Sequence, residues 1–375
     1  MNQMKKSIVL IFAILICNIK IFANTYYSSS NDSIPLKDTS KNYFIALPIL
    51  LYGEETNWGF GLTSGYYFTK EGGSKASNIQ GTAIYTLKNQ VSFTLLPKFY
   101  TDDRDFFYSG HLKVNYYPDK FFGIGRNTPD SLEENYTSKD ISLLFQRQRV
   151  LFDVMMIGIQ GQWSYYQTSD VQNGGELIKK EISGENSFYG KKPFFTSALG
   201  FLISWDNRDN FFYPTGGEFY KLSLLVNSKI FGSQLKFSRL TLDLRNYYPI
   251  FGKHIICLQV YSDITWGDTP FQLLPSMGGN EILRGYYKGR YRDNVLFTTQ
   301  IEYRFPIYRW LKGSVFYSVG DVADEIVDIA PKEFKYSYGF GLRARVNPAN
   351  VHLRFDVGFT QDRKPALYFT ASEAF

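Results

Sequence analysis

The sequence predicts an all-β protein, a single 16-stranded antiparallel transmembrane β-barrel. Three observations carry that expectation. Aromatic residues make up 18% of the chain, with 33 Phe and 29 Tyr, although the mean hydropathy is only −0.23. A membrane barrel needs this combination, because alternate residues face lipid and aromatic girdles mark both interfaces. Past the N-terminal segment, no stretch reaches the about 18 uncharged apolar residues of a membrane-spanning helix. The nearest, Val150 to Ile159, is short and contains Asp153. Finally, apolar and polar residues alternate in segment after segment, the period of a strand with two unlike faces.

Taken in order, the chain opens with Met4-Lys5-Lys6, an apolar run from Ile8 to Cys17, and Ile21-Phe22-Ala23. A charged head, an apolar core and a small residue describe a secretory signal peptide over residues 1–23. Ile16 before Cys17 is too large for a lipoprotein signal. Residues 24–42 are polar and Ser-rich, a short disordered periplasmic lead-in. The barrel is expected over 43–375, in strands Tyr43–Tyr52, Trp58–Thr69, Ala76–Lys88, Val91–Tyr100, Phe106–Tyr117, Lys139–Gln148, Val150–Gln167 and Thr196–Trp205. The second half gives Gly217–Lys229, Leu235–Tyr248, His254–Trp266, Val295–Phe305, Leu311–Val319, Tyr336–Val346, Val351–Thr360 and Ala366–Phe375.

Alternation is clearest near the end. Val351, Leu353, Phe355, Val357 and Phe359 share one face, and His352, Arg354, Asp356, Gly358 and Thr360 the other. Tyr336, Tyr338, Phe340 and Leu342 likewise oppose Ser337, Gly339, Gly341, Arg343 and Arg345. Charges recur on the polar faces with no helix to cover the apolar ones, so lipid outside and a wet lumen inside fit better than a soluble sandwich. With both chain ends periplasmic, the long connections Pro118–Ser138, Thr168–Phe195, Gly267–Asn294 and Gly320–Lys335 all fall on the extracellular side. Prolines cost ladder hydrogen bonds. Pro48 marks a weakly paired first strand beside the barrel seam, and Pro97 implies a bulge.

The net charge of +6 is spread along the chain without a like-charge block, which gives no sign of a nucleic-acid partner. Cys17 lies in the signal, so Cys257 is a small packing residue. His111, His254 and His352 are far apart with no ligand-spaced carboxylates or thiols, so neither a metal nor another cofactor is expected. There is no G-x-S-x-G and no Ser/His/Asp set of recognisable spacing, and an enzyme is not expected.

The connection from Gly267 to Asn294 is too long for a hairpin and too rich in aromatics and arginine for a disordered linker. It contains Leu283-Arg284-Gly285-Tyr286. With Trp205-Asp206-Asn207-Arg208-Asp209 followed by Tyr213-Pro214-Thr215-Gly216-Gly217, and an ending that carries Leu367-Tyr368-Phe369 and Phe375, this resembles the BamA/TamA superfamily of outer-membrane barrels. The first motif matches that family's V-R-G-F/Y signature in the sixth extracellular loop, the second its D-x-R-D…P-T-x-G turn between strands eight and nine, the third its C-terminal aromatic assembly signal.

The resemblance implies that loop 6 folds into the lumen and that Arg284 is held by wall carboxylates. A desolvated guanidinium needs such partners, and its planar fork suits bidentate contacts. Glu302 matches the wall glutamate. Ser318 stands where relatives carry an aspartate; Asp321 is near but has the wrong parity, and Asp356 is the candidate substitute. Asp206, Arg208 and Asp209 are expected to form a salt-bridge cluster that stabilises their turn, and the glycines to serve backbone geometry. Glu373 shares the parity of Phe375, an odd place for a charge. The family further implies an integral protein of the bacterial outer membrane, in contact with lipid and lipopolysaccharide, that inserts or translocates proteins. In its best-known relatives a seam between first and last strands opens laterally, and periplasmic domains deliver the client. Lacking room for such domains, the chain reads as a short member, with an unfolded client or a periplasmic accessory protein as partner. A small plugged pore for ions or solutes and a structural accessory subunit are the alternatives.

Overall fold

A computed structural model describes residues 42–68, 77–101, 105–152, 154–175, 177, 192–345, 350–371 and 373–375. The expected signal peptide and nearly all of the lead-in lie outside the described residues. The strands are β1 (Tyr43–Gly53), β2 (Asn57–Phe68), β3 (Ser77–Thr86), β4 (Val91–Tyr100), β5 (Phe106–Phe121), β6 (Glu134–Leu151), β7 (Met155–Ser169), β8 (Phe194–Asp206), β9 (Gly217–Asn227), β10 (Phe237–Phe251) and β11 (His254–Gly267). The short β12 (Ser276–Met277) and β13 (Tyr291–Arg292) follow, then β14 (Val295–Pro306), β15 (Leu311–Ala323), β16 (Lys335–Arg345), β17 (His352–Thr360) and β18 (Pro365–Thr370). All but β12 and β13 pair antiparallel with their neighbours into one closed barrel, with β18 beside β1, and β12 and β13 form a separate ribbon inside the long β11–β14 loop. The 16-stranded barrel is therefore the observed fold.

Its sidedness inverts that of a soluble protein. On β17 His352, Arg354, Asp356 and Thr360 are buried while Phe355 is exposed, and on β16 Ser337 and Arg343 are buried while Tyr336, Tyr338, Phe340 and Leu342 are exposed. The exposed apolar face is the one lipid covers. A charge there would cost about 2–4 kcal/mol at the bilayer midplane, and a one-residue slip would put every lumenal charge there, so register is strongly specified.

Several boundaries differ from expectation. Val150 belongs to the sixth strand, because the chain reverses at Phe152, whose φ is 55°, and β7 starts only at Met155. The connection expected over Pro118–Ser138 is strand at both its ends: the β5–β6 ladder continues from Tyr117↔Ser138 to Phe121↔Glu134, and only 122–133 form the loop. Pro97 makes no bulge. The β4–β5 ladder stops at Leu95↔Leu112 and resumes in the same register at Lys98↔Ser109. Gly110 makes this possible, since a Cβ there would lie 2.8 Å from the Pro97 ring. The bulge falls instead on β10, between Pro249 and Phe251.

The last strand ends at Thr370, five residues before its expected end at Phe375. Beyond it Ala374 and Phe375 are buried inside the barrel wall with Tyr213, Tyr247, Ile255 and Cys257. Glu373 therefore sits where a charge is wanted, among lumenal arginines, and its parity on a continued strand is irrelevant.

Candidate functional site at the sixth loop and the seam

The β11–β14 loop enters the lumen through a run of unusual backbone. Gly278, Gly279 and Gly285 have φ of 107°, 95° and 126°, and Leu283, at 48°, shares the left-handed region. Glycine is required at Gly278, where a Cβ would meet the Tyr287 carbonyl oxygen at 2.0 Å. Leu283 is held in its uncommon conformation by burial with Met277, Tyr286, Tyr291, Leu296 and Val322. This apolar knot fixes the loop and delivers Arg284 to the wall.

Arg284 is fully buried. Its Nη1 lies 2.7 Å from Glu302 on β14 and 2.7 Å from Asp356 on β17, and its Cζ stands 3.5 Å from the centre of the Phe316 ring on β15. Three wall arginines hold the same carboxylates. Arg304 Nε donates to Glu302 at 2.7 Å. Arg343 Nη2 reaches both Glu302 oxygens at 3.3 Å, and its Nη1 donates to Asp356. Arg354 Nε lies 3.7 Å from Asp356, and its Nη2 donates to the Asn280 carbonyl at 2.9 Å. Ions packed this way are costly to desolvate, and Arg284 meets both carboxylates through Nη1 alone, not through the expected fork, while its Nε and Nη2 have no hydrogen-bond partner among the described residues. The arrangement clasps the loop, and no group of three or more metal-ligating side chains occurs among the described residues.

Ser318 is buried and donates to Gln300 at 3.3 Å. Asp321 pairs with Arg126 of the β5–β6 connection at 3.1 Å. In the β8–β9 turn Arg208 forks onto Asp206 at 2.8 and 2.7 Å. Asp209 takes no part in that pair and instead accepts from the Thr215 and Gly216 amides at 2.8 and 3.2 Å. Pro214 is buried beside Tyr213. Gly216 has room for a side chain, whereas Gly217, at φ 93°, would drive a Cβ to 2.5 Å from the Asn207 carbonyl. Phe369 lies opposite Tyr52 of β1.

Sequence reasoning missed how the loop meets the seam. Tyr368 of β18 accepts at Oη from the Gly285 amide at 3.0 Å and donates to the Tyr286 carbonyl at 3.4 Å. Glu55, between β1 and β2, accepts from the Lys288 amide at 2.7 Å. Gly358 gives the loop backbone its space, for a Cβ there would meet the Arg284 carbonyl oxygen at 2.5 Å. At the rim Tyr287 donates to Asp119 at 3.0 Å and Arg290 to Thr128 and Asp130 at 2.9 Å. Inward parity marked Arg343 and Gly358 as lumenal, but nothing local signalled their partner. The seam itself is thin. Among the described residues β1 pairs with β2 from Tyr43↔Tyr67 to Gly53↔Asn57 but with β18 only at Tyr52↔Phe369.

Residues 68–375 match the Omp85 superfamily domain. Among solved structures the chain is similar to BamA from Haemophilus ducreyi lacking POTRA domains 1-3, with 14% identity over 88% of this chain and 70% of that one at a TM-score of 0.62. It is also similar to CdiB from Acinetobacter baumannii (10% identity, 88% of this chain and 59% of that one, TM-score 0.55). CdiB from Escherichia coli gives 9% identity, 86% and 62% coverage, and a TM-score of 0.55. This chain thus spans less than two thirds of either CdiB chain. No curated protein sequence matches it. At these identities the likeness is one of fold, and the domain match over most of the chain is what shows the family. An occupied lumen, a loop clasped through its arginine and a seam of one register pair agree with that match: the chain belongs to the Omp85 superfamily and is an integral β-barrel of the bacterial outer membrane.

Proposed function

We propose that this barrel inserts or translocates proteins at the outer membrane by letting a client strand pair with the free edge of β1. The carrying observation is that edge: among the described residues, Tyr43 to Leu50 have no register partner on β18. Unpaired amides and carbonyls beside lipid are costly, and an extended client segment satisfies them by strand addition. Pro48 lies within the free stretch, where a missing amide weakens permanent pairing most cheaply. Membership of a superfamily of assembly and translocation barrels supports the same reading. So does the lumen, which is filled at the level of Arg284, Glu302, Arg343 and Asp356, so that a lateral route is the open one. Loop 6 acts here as a clasp that sets how readily the seam opens, with Arg284 as its pin and Glu302 and Asp356 as the sockets. The partners are an unfolded barrel protein as client and a periplasmic protein that delivers it.

The test is client folding in liposomes. An unfolded outer-membrane barrel is added to vesicles that carry this protein, its Arg284→Ala variant, or neither. Acceleration by the natural chain that the variant loses is the expected result. No acceleration by either, with a measurable ion conductance, would replace this reading with the plugged pore.

A further inference from the structure

The chain that follows β18 turns inward, and its contacts meet those of loop 6 on one side chain. Glu373 lies 3.2 Å from Arg343 Nε and 3.7 Å from Arg304 Nη2. Arg304 Nη2 also donates to the Phe375 carbonyl at 3.3 Å, and the Phe375 ring packs with Tyr213, Tyr247, Ile255 and Cys257. Arg343 therefore joins three carboxylates: Nε meets Glu373, Nη1 meets Asp356, and Nη2 meets Glu302 and, at 3.5 Å, Asp356. The last two are the carboxylates that hold Arg284.

We propose that Arg343 couples two latches, loop 6 and the segment after the seam strand, so that release of either loosens the other. The wall alone carries Arg304, Arg343 and Arg354 against Glu302 and Asp356, three positive charges and two negative, or +1. Docking Arg284 on that wall would bring a cation to a surface already positive. Glu373 brings the sum of these six charges to zero, which lessens the repulsion Arg284 meets, although Lys312 stands nearby over the Tyr213 ring that Arg304 also faces. In the other direction a docked Arg284 makes the wall more positive and draws Glu373 in. Because these side chains are desolvated, the attraction between the two mobile members is only weakly screened. Thermodynamic linkage requires the effect to be equal in both directions. The segment continues β18, whose Tyr368 already grips the loop backbone at Gly285 and Tyr286. A client that draws β18 away from β1 would thus unfasten Glu373, then Arg284. Arg343 is a positioning residue in this scheme. The scheme concerns the same seam as the proposed function, but no client enters its test, so either can fail alone.

Cys257 is a built-in reporter, being fully buried under Phe375 and Ala374. Full-length protein with Cys17→Ser is reconstituted, and two rates are followed: maleimide labelling of Cys257, and tryptic cleavage of loop 6 at Lys288 and Arg290. Glu373→Gln and Phe375→Ala lie outside the ladder and leave the wall intact, and heat-shifted migration in detergent gels verifies closure of each variant barrel. Both are expected to raise loop-6 cleavage at least about fivefold as well as Cys257 labelling, and Arg284→Ala to raise Cys257 labelling by a matching factor. The double variant Arg284→Ala/Glu373→Gln should add little to either single one. Variants that alter only the rate at their own end, or a double variant whose effects simply multiply, would overturn the coupling.

Discussion

Two regions of the same wall are closed by different means. On one side β5 and β6 pair from Phe106↔Arg149 to Phe121↔Glu134, a long and continuous backbone ladder. At the seam β1 and β18 meet at Tyr52↔Phe369. What holds the seam comes from inside: Tyr368 of β18 and Glu55 beside β1 both bond the backbone of loop 6, which is pinned in turn by Arg284. A ladder opens only by breaking backbone bonds in series, whereas side-chain contacts to a loop can be withdrawn together. Loop 6 thus touches both regions, Asp119 of β5 included, but only the seam lacks a long ladder of its own.

The largest expected effect follows from fixing the seam covalently. Tyr52→Cys with Phe369→Cys places two thiols on directly paired residues, at a Cα separation a disulfide can bridge. Oxidised protein should remain a closed barrel and lose at least about tenfold in accelerated client folding, a difference of about 1.4 kcal/mol in barrier, and reductant should restore it. Full acceleration with the seam locked would mean that clients use another route, and the contrast between seam and wall would lose its functional meaning.

A second substitution asks whether the lumen does close the seam. Glu302→Gln removes a carboxylate shared by Arg284, Arg304 and Arg343. Breaking a buried ion pair from one side costs about 3–5 kcal/mol. Hydrogen exchange read along the chain should speed up on β1 and β18 while β5 and β6 keep their protection. Equal acceleration on all four strands would show a general loss of stability and sink the idea of separate closures.

Legibility in the sequence divides along the same line. The wall could be read because lipid imposes a period of two: Tyr336, Tyr338 and Phe340 had to face out, Ser337 and Arg343 in. That rule fails where the membrane ends, which is why the extension of β5 to Phe121 went unread. It also fails where a turn lies in an apolar run, as at Phe152, which reverses the chain without glycine or proline. The lumenal contents were legible as residue types and not as partners. Arg284 and Glu302 could be named because a motif and a parity coincide there. Tyr368 on the Gly285 amide, Gly358 under the Arg284 carbonyl and Glu373 between Arg304 and Arg343 depend on where distant segments cross the barrel. One clue was present. Lumenal parity in the last strands gives more arginines than acids, and a glutamate of the wrong parity stands downstream to balance them.

The smallest expected effect concerns the rim, where Glu55 touches the loop. Burial pushes its carboxyl above the ordinary value of 4.5; its own amide, the Lys288 amide and the Lys288 charge pull it down by less, and Asp119 adds to the rise. When loop 6 withdraws, Glu55 returns to water and to its ordinary value. A carboxyl that titrates higher in the docked state holds its proton more tightly there, so docking gains stability as pH falls through the docked value towards 4.5 and loses it as pH rises back. A spin label at Glu281→Cys, on the exposed side of the loop, should become less mobile on acidification from neutral pH. Glu55→Gln should flatten that response. A weaker dependence of the same sign should remain, because burial also raises the Asp293 carboxyl at the loop's far end. An undiminished response in Glu55→Gln would move the pH sensitivity away from β1, and with it the claim that the seam's first strand is held through this contact.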